Sequence, residues 1–214
     1  ILVAKAGAGL LIRPTVDWPL ALGTLWLLLL IGAVATLASV SQLAFIIALV
    51  RNAIRDPLTG AFSRQGGSEL LALQFNQSVR SGTPLAVAFI DLDEFKRIND
   101  EHGHEAGDRA LVAAVQQMTR QLRTGDILAR WGGEEFVIIM PNTAAAKAAV
   151  GLERTRAAGF GQRPEGGPLT ACIGIAERSA DKVDDWSMLV DLADARMYEA
   201  KQSGRNRIVT RPAT

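Results

Sequence analysis

The chain has 214 residues, a formal net charge of +1 and a single cysteine. This length allows one domain of about 150 residues and a short additional segment. A nearly neutral chain without a basic stripe gives no reason to expect a nucleic-acid partner, and one cysteine excludes an intrachain disulfide. Because the first residue is Ile1 rather than methionine, we expect the chain to be part of a longer protein.

The N-terminal part of the chain is strongly apolar. Residues 18–50 contain no charged side chain, and about 20 apolar residues suffice for a helix to cross a bilayer. We predict one transmembrane helix at 18–40, preceded by residues 1–17 as the end of an N-terminal segment. Apolar residues recur at helical spacing over 41–55, which predicts a connector helix. A two-stranded coiled coil there is a hypothesis, because the segment offers barely two heptads.

Basic residues on the two sides of the apolar segment bear on its orientation. Arg51, Arg55 and Arg64 follow it, whereas only Lys5 and Arg13 precede it. By the positive-inside rule, this small excess predicts a cytoplasmic C-terminal part. The expected location is the inner membrane, crossed once, with the N-terminal segment on the extracytoplasmic side.

A short apolar run at 84–90 ends in Asp91-Leu92-Asp93 and is typical of a buried strand. A carboxylate buried without a partner is costly. We therefore expect a metal ion or a cation beside Asp91 and Asp93.

Two further polar residues follow on a predicted helix. Lys96 and Asn99 are three residues apart, so they share one side of that helix. Gly107 and Asp108 are predicted to begin the next helix.

Residues 130–136 read Arg-Trp-Gly-Gly-Glu-Glu-Phe between two apolar runs. The pattern predicts a β-hairpin in which Gly132 and Gly133 adopt the positive φ angles of a tight turn. Glycines allow a phosphate to approach the backbone, and Glu134 and Glu135 are expected on opposite faces of the outgoing strand. Carboxylate oxygens suit the Mg²⁺ that accompanies a nucleotide. An ordinary charged hairpin is the alternative.

The remaining patterns complete the predicted element order. Helices are expected at 64–81, 94–101, 107–122, 143–158 and 186–202, with strands at 84–92, 169–175 and 207–209 and a hairpin at 126–140. This order is β-α-β-β-α-β with additions, the ferredoxin-like α/β pattern, preceded by one transmembrane helix.

The ordered motifs resemble those of the GGDEF family of diguanylate cyclases. The resemblance covers about residues 56–209 and rests on the segments Asp56-Pro-Leu-Thr-Gly, 89–100, Gly103-His104 with Gly107-Asp108, 132–136, and Ala200-Lys201 with Gly204-Arg205-Asn206. In one departure from the family pattern, Ser63-Arg64 replaces the usual Asn-Arg, so the sequence does not decide whether the following helix is capped.

The resemblance implies an enzyme that condenses two GTP molecules into cyclic di-GMP and releases two pyrophosphates. The implied cofactor is Mg²⁺ or Mn²⁺, with ligands from Asp91, the Leu92 carbonyl, Glu134 and Glu135. Whether Glu135 is a ligand or helps to deprotonate the 3′-hydroxyl stays open. The implied substrate contacts are Lys96 for phosphate charge, Asn99 and Asp108 for guanine, Gly132 and Gly133 at the turn, and Lys201 and Arg205 for the triphosphate.

The resemblance also implies two features outside the catalytic residues. Because one active site holds one GTP, the reaction needs a homodimer of facing domains. The expected domain arrangement is a transmembrane helix at 18–40, a connector at 41–55 and the catalytic domain at 56–214. Arg123 and Asp126 resemble the inhibitory Arg-x-x-Asp site for the product, with Arg154 as a second arginine. The alternatives are a catalytically silent receptor for cyclic di-GMP and a scaffold for partner proteins.

Three features are predicted to have no catalytic role. His102 and His104 are interpreted as structural, and Cys172 as a small core residue. The glycine-rich stretch 159–167 is interpreted as a solvent-exposed connection only.

Overall fold

The structure is a computed structural model that describes residues 18–210, without the side chains of 47–53. The predicted segment 1–17, with Lys5 and Arg13, lies outside the described residues. Contacts divide the chain between Leu49 and Val50 into two units, each described by itself.

The first element is α1, Trp18–Ile54, a helix of 37 residues. Its Trp18–Ile46 part has a mean hydropathy of 2.3 and is long and apolar enough to cross a membrane. Pro19 lies in the first turn, where a missing N–H costs nothing. The helix runs without a break through residue 40, so the division into span and connector stays a prediction.

The second unit contains a five-stranded sheet with the order β2-β3-β1-β4-β5. Its strands are β1 Leu85–Leu92, β2 Ile127–Arg130, β3 Glu135–Pro141, β4 Ala171–Glu177 and β5 Ile208–Val209. All pairings are antiparallel except the parallel addition of β5 to β4. The prediction of a β-α-β-β-α-β core is confirmed.

Helices cover both faces of the sheet. They are α2 Arg64–Ser81, α3 Phe95–His102, α4 His104–Gln121, α5 Ala145–Ala158 and α6 Trp186–Gln202. Alternate residues of β1 enter different clusters: Ile90 packs with α3, α4 and α5, and Phe89 packs with α2 and α6. A strand covered on both sides is apolar throughout, which explains the unbroken run before Asp91.

The structure shows where α4 begins and which residue caps α2. The helix predicted to begin at Gly107 begins at His104, because Gly103 supplies the left-handed φ of 80° between α3 and α4. Ser63 does cap α2, since its hydroxyl accepts the N–H of Gly66 at 3.1 Å.

The prediction that 159–167 is only an exposed connection is wrong. Phe160 in this stretch is fully buried and belongs to the core. Cys172 is buried in β4, as expected for a small core residue.

Candidate functional site

The acidic residues meet where β1 ends and β3 begins. Asp91 is the register partner of Glu135 across the β1–β3 pair. The N–H of Leu92 donates to the carbonyl of Glu134 at 3.3 Å. Sheet pairing thus brings together two motifs that are far apart in the sequence, and only 4% of Asp91 is exposed.

Burial and mutual repulsion disfavour the ionised form of each carboxyl group in this cluster. Burial raises the pKa of Glu134 and of Glu135 above the ordinary value, and the nearby charge of Asp91 raises both further. Burial also raises the pKa of Asp91, in spite of its contact with Lys201. These three carboxylates repel one another, and a positive charge beside them would relieve that repulsion.

Lys201 supplies the positive charge in this cluster. Its ammonium lies 2.8 Å from Asp91 Oδ2, and this pairing raises the pKa of Lys201 although burial lowers it. Within the described chain, no group of three histidine, cysteine, aspartate or glutamate side chains is arranged to hold a metal ion. The expected cation beside Asp91 is therefore present as a lysine.

Asp93 has a different environment from Asp91. Its carboxylate accepts hydrogen bonds from the Thr170 hydroxyl at 2.7 Å, the Cys172 thiol at 3.0 Å and the Asn206 N–H at 3.1 Å. Burial, together with the contact to Asp93, raises the pKa of Cys172 to about 12. Asp93 therefore fixes the local fold and is not available as a metal ligand.

The glycine turn differs from the predicted tight turn. Neither Gly132 nor Gly133 has a positive φ. Trp131 and the three residues after it form a longer loop, in which the Trp131 N–H donates to the Glu135 carbonyl at 2.8 Å. Glu134 precedes β3, so the two glutamates do not alternate along one strand. A Cβ at Gly132 would meet the Glu135 carboxylate, so a larger residue there would displace that side chain from its present position.

Arg130 connects this loop to the start of the domain. Its guanidinium donates to the carbonyls of Gly132 at 3.2 Å and Gly133 at 2.8 Å and to both Asp56 oxygens at 3.2 Å. Burial raises the pKa of Asp56, but hydrogen bonds from Thr59 and the charge of Arg130 bring it below the ordinary value. The opening motif therefore holds the loop that contains Gly132 and Gly133, a contact that the sequence did not predict.

The residues expected to bind guanine lie on neighbouring helices. Asn99 is on α3 and Asp108 on α4. A Cβ at Gly107 would collide with the side-chain oxygen of Asn99, so the two helices touch at that point. Asn99 is half-buried and Asp108 is exposed, which leaves the carboxylate accessible beside the amide.

The remaining predicted substrate residues are Lys96 and Arg205, and both are exposed. Lys96 is exposed on the first turn of α3. Arg205 follows α6, has a φ of 59° and is exposed. The pKa of Glu94 is lowered mainly by Arg163 and Arg97, and the charge of Arg205 makes a smaller contribution. His102 lies 3.3 Å from Glu165.

Asp194 belongs to the acidic cluster and was missed. Burial raises its pKa, against the charge of Lys201, and its own charge raises the pKa of Asp91 and Glu135. It lies seven residues before Lys201, which is two turns along one face of α6. That spacing is the sequence feature that could have indicated it.

The predicted inhibitory residues are brought together at the other end of the hairpin. Arg123 Nε lies 3.1 Å from Asp126 Oδ1, and its NH2 donates to the Pro141 carbonyl and the Thr143 hydroxyl. Arg154 lines a cavity of about 140 Å³ with this pair. A larger cavity of about 740 Å³ borders Arg123 and Asp126 on the side of α4.

A pH-dependent stability difference is expected for Glu135→Gln in the metal-free domain. The pKa of Glu135 in the folded state is raised. As pH rises past the ordinary carboxyl pKa, the folded state therefore binds more protons than the unfolded state, and the free energy of unfolding falls. The variant lacks this penalty, so it should be more stable than wild type at pH 7 and equal to it below about pH 4. Urea unfolding at both pH values measures this difference.

The control for that experiment is Glu105→Gln, since the Glu105 side chain is 95% exposed. Added Mg²⁺ should stabilise wild type more than Glu135→Gln. Parallel pH profiles for wild type and Glu135→Gln would contradict the expectation.

Known proteins match this fold and these motifs. A family model described as diguanylate cyclase, GGDEF domain, matches residues 53–207. Diguanylate cyclase DgcP of Pseudomonas aeruginosa is 37% identical over 162 residues, which cover 74% of this chain and 24% of that protein. Response regulator PleD of Caulobacter vibrioides is 35% identical over 172 residues, which cover 75% of this chain and 37% of that protein. The chain thus spans well under half of these relatives.

A solved structure extends the similarity to three dimensions. The coiled coil and GGDEF domain of DgcB from Caulobacter crescentus, in complex with c-di-GMP, has a TM-score of 0.74 and 29% identity. The match covers 86% of this chain and 99% of that one.

Proposed function

Because the chain belongs to the GGDEF-domain diguanylate cyclases, we propose that it condenses two GTP molecules into cyclic di-GMP and releases two pyrophosphates. The observation that carries this proposal is the cluster of Asp91, Glu134 and Glu135 with Lys201 at one end of the sheet. In this reaction a ribose 3′-oxygen attacks an α-phosphate in line, and negative charge develops on oxygens. Metal-binding oxygens and a cation are the groups that would stabilise such charge, and this cluster contains both.

The proposed metal is Mg²⁺, or Mn²⁺ in its place, and GGDEF diguanylate cyclases generally use a divalent ion. Asp91, the Leu92 carbonyl and Glu134 would hold it, with Glu135 as a further ligand or as the group that accepts the 3′-hydroxyl proton. The ion supplies charge stabilisation at the attacking and leaving oxygens. In its presence Lys201 would no longer be needed as the counter-ion of Asp91, and its ammonium would be free for phosphate.

The proposed triphosphate contacts are Lys96, Lys201 and Arg205. Lys96 and Arg205 are both exposed, so their charged groups are accessible to phosphate oxygens. Together with Lys201 they would balance the negative charge of the leaving pyrophosphate. Gly132 and Gly133 lie in the loop that presents the glutamates, where backbone without a side chain allows a phosphate to approach.

Asp108→Ala is expected to weaken GTP binding by about tenfold and to narrow the preference for GTP over ATP. A carboxylate accepts from the N1 and N2 donors of guanine, and adenine offers no such pair. Loss of a charged acceptor costs about 1.5–3 kcal/mol. Competition between GTP and ATP measures the preference, with the exposed Asp100→Ala as the control. An unchanged preference would show that guanine is recognised by other residues.

We further propose that the protein works as a membrane-bound homodimer, because each catalytic domain supplies one bound GTP and two are joined. The helix predicted at 18–40 would cross the inner membrane, the connector 41–55 would hold two copies together, and the domain 56–214 would lie in the cytoplasm. Such tethering raises the effective concentration of one domain near the other.

Product formation tests the proposed function directly. The purified chain in detergent, incubated with GTP and Mg²⁺, is expected to yield a cyclic dinucleotide and pyrophosphate. No product together with tight cyclic di-GMP binding would instead identify a silent receptor. Neither product nor binding would favour a scaffold.

A further inference from the structure

The loop between α5 and β4 has a defined conformation. It folds back on itself through hydrogen bonds from Phe160 N–H to the Leu169 carbonyl at 2.8 Å and from Leu169 N–H to the Gly161 carbonyl at 2.9 Å. The buried Phe160 ring anchors it in the core. Arg163 lies at the tip, where its N–H donates to the Gly167 carbonyl at 2.9 Å. The backbone of Arg163 is therefore fixed relative to the sheet.

The guanidinium of Arg163 contacts two consecutive residues of the turn between β1 and α3. One nitrogen lies 3.0 Å from Glu94 Oε2 and another donates to the Asp93 carbonyl at 3.3 Å. Only 14% of the Arg163 side chain is exposed. Glu94 has a φ of 57°, a left-handed conformation that is unfavourable for this residue type and persists only when its surroundings hold it.

A second contact from the same loop stabilises the rest of α3. Glu165 lies 3.0 Å from Arg97 and 3.3 Å from His102. His102 is the last residue of α3, so the loop contacts the helix from its N-terminal flank to its end. Lys96 precedes Arg97 and points about 100° away from it around the helix, so these contacts leave the Lys96 side free.

The turn held by Arg163 connects residues of the proposed active site. Asp91 and Leu92 come directly before Asp93, and Lys96 comes two residues after Glu94. A displacement of this turn would therefore move the metal ligands and the phosphate-binding lysine together. Groups that orient metal ligands from outside typically change metal affinity or activity by 10–100-fold when they are removed.

We propose that Arg163 is a positioning residue, which holds the β1–α3 turn in the geometry that binds the metal–nucleotide complex. This inference depends on the proposed function, because it assumes that guanine nucleotide binds at this cluster. Arg163 contacts no reacting atom of this cluster. It acts through Asp93 and Glu94, and it also lies 3.6 Å from Glu165, which contacts α3.

The test measures binding rather than turnover. The full chain in detergent is titrated with the α,β-methylene analogue of GTP and MgCl₂ by calorimetry. Arg163→Ala is expected to weaken binding of the analogue by about tenfold and to raise the Mg²⁺ concentration needed for half-saturation. Arg163→Lys keeps a charge for Glu94 but loses the planar fork that reaches Glu94 and the Asp93 carbonyl together, so it should recover part of the affinity. Gln162→Ala, at an exposed position in the same loop, should bind like wild type.

Thermal unfolding of each variant separates positioning from loss of the fold. If Arg163→Ala does not fold, Glu94→Gln and Arg163→Lys provide milder changes, and their effects on affinity should be non-additive in the double variant. Wild-type affinity in Arg163→Ala, or a lowered unfolding temperature without a change in affinity, would overturn the proposal. If wild type binds the analogue but makes no product, the proposed enzymatic activity fails while the same affinities still test Arg163. A wild-type chain that binds no analogue overturns both.

Discussion

Replacing Glu134 or Glu135 by alanine is expected to abolish cyclic di-GMP formation while the domain stays folded. The pKa of each side chain is raised by burial and by Asp91, so neither carboxylate stabilises the metal-free fold. Loss of a metal ligand removes several kcal/mol of transition-state stabilisation, which lowers the rate by about a hundredfold or more. Product formation from GTP, followed by chromatography, measures the effect.

Glu105→Ala is the matched control, because it removes an exposed carboxylate on α4. It should form product at the wild-type rate. Circular dichroism and thermal unfolding are used to test whether each glutamate variant is folded. Wild-type turnover in either Glu134→Ala or Glu135→Ala would show that the reaction does not depend on these carboxylates.

Arg123→Ala is expected to retain the initial rate and to lose inhibition by the product. Arg123 and Asp126 precede β2, whereas the acidic loop follows it, so the two sites lie at opposite ends of one strand. Arginine donates forked hydrogen bonds to phosphate or to guanine O6 and N7, and aspartate accepts from guanine N1 and N2. Loss of such a charged donor should raise the product concentration needed for inhibition by about tenfold or more.

The measurement compares initial rates at increasing cyclic di-GMP for wild type, Arg123→Ala and Arg154→Ala. Arg154 borders the same small cavity as Arg123, so its removal should weaken inhibition in the same direction. Arg109→Ala, on an exposed side chain of α4, serves as the control. Inhibition of undiminished potency in Arg123→Ala would exclude the proposed product site.

Several elements followed directly from local patterns. The unbroken apolar run before Asp91 predicted a buried strand, and the structure shows helices on both faces of β1. The helices predicted at 64–81 and 186–202 have those bounds. Each of these features depends on hydrophobic periodicity or on a cap within a few residues, so a single sequence suffices to predict it.

Other features could not be predicted because they depend on backbone geometry or on packing. Gly132 was expected to adopt a positive φ, but its φ in the loop is not positive, and a Cβ there would instead meet the Glu135 side chain. The stretch 159–167 is rich in glycine and polar residues, which indicates an exposed loop, yet Phe160 is drawn into the core. The average composition of a segment does not show that one of its side chains is buried.

The sequence by itself determined the order of the elements, the apolar helix and the motifs that carry the proposed chemistry. Only the tertiary structure decided which charges meet. Arg130 and Asp56 are 74 residues apart and Arg163 and Glu94 are 69 apart. Their contacts exist because the strand order places distant segments side by side. Hydrophobic periodicity specifies which face of each segment is buried, but the partner of a charged side chain depends on how the segments pack.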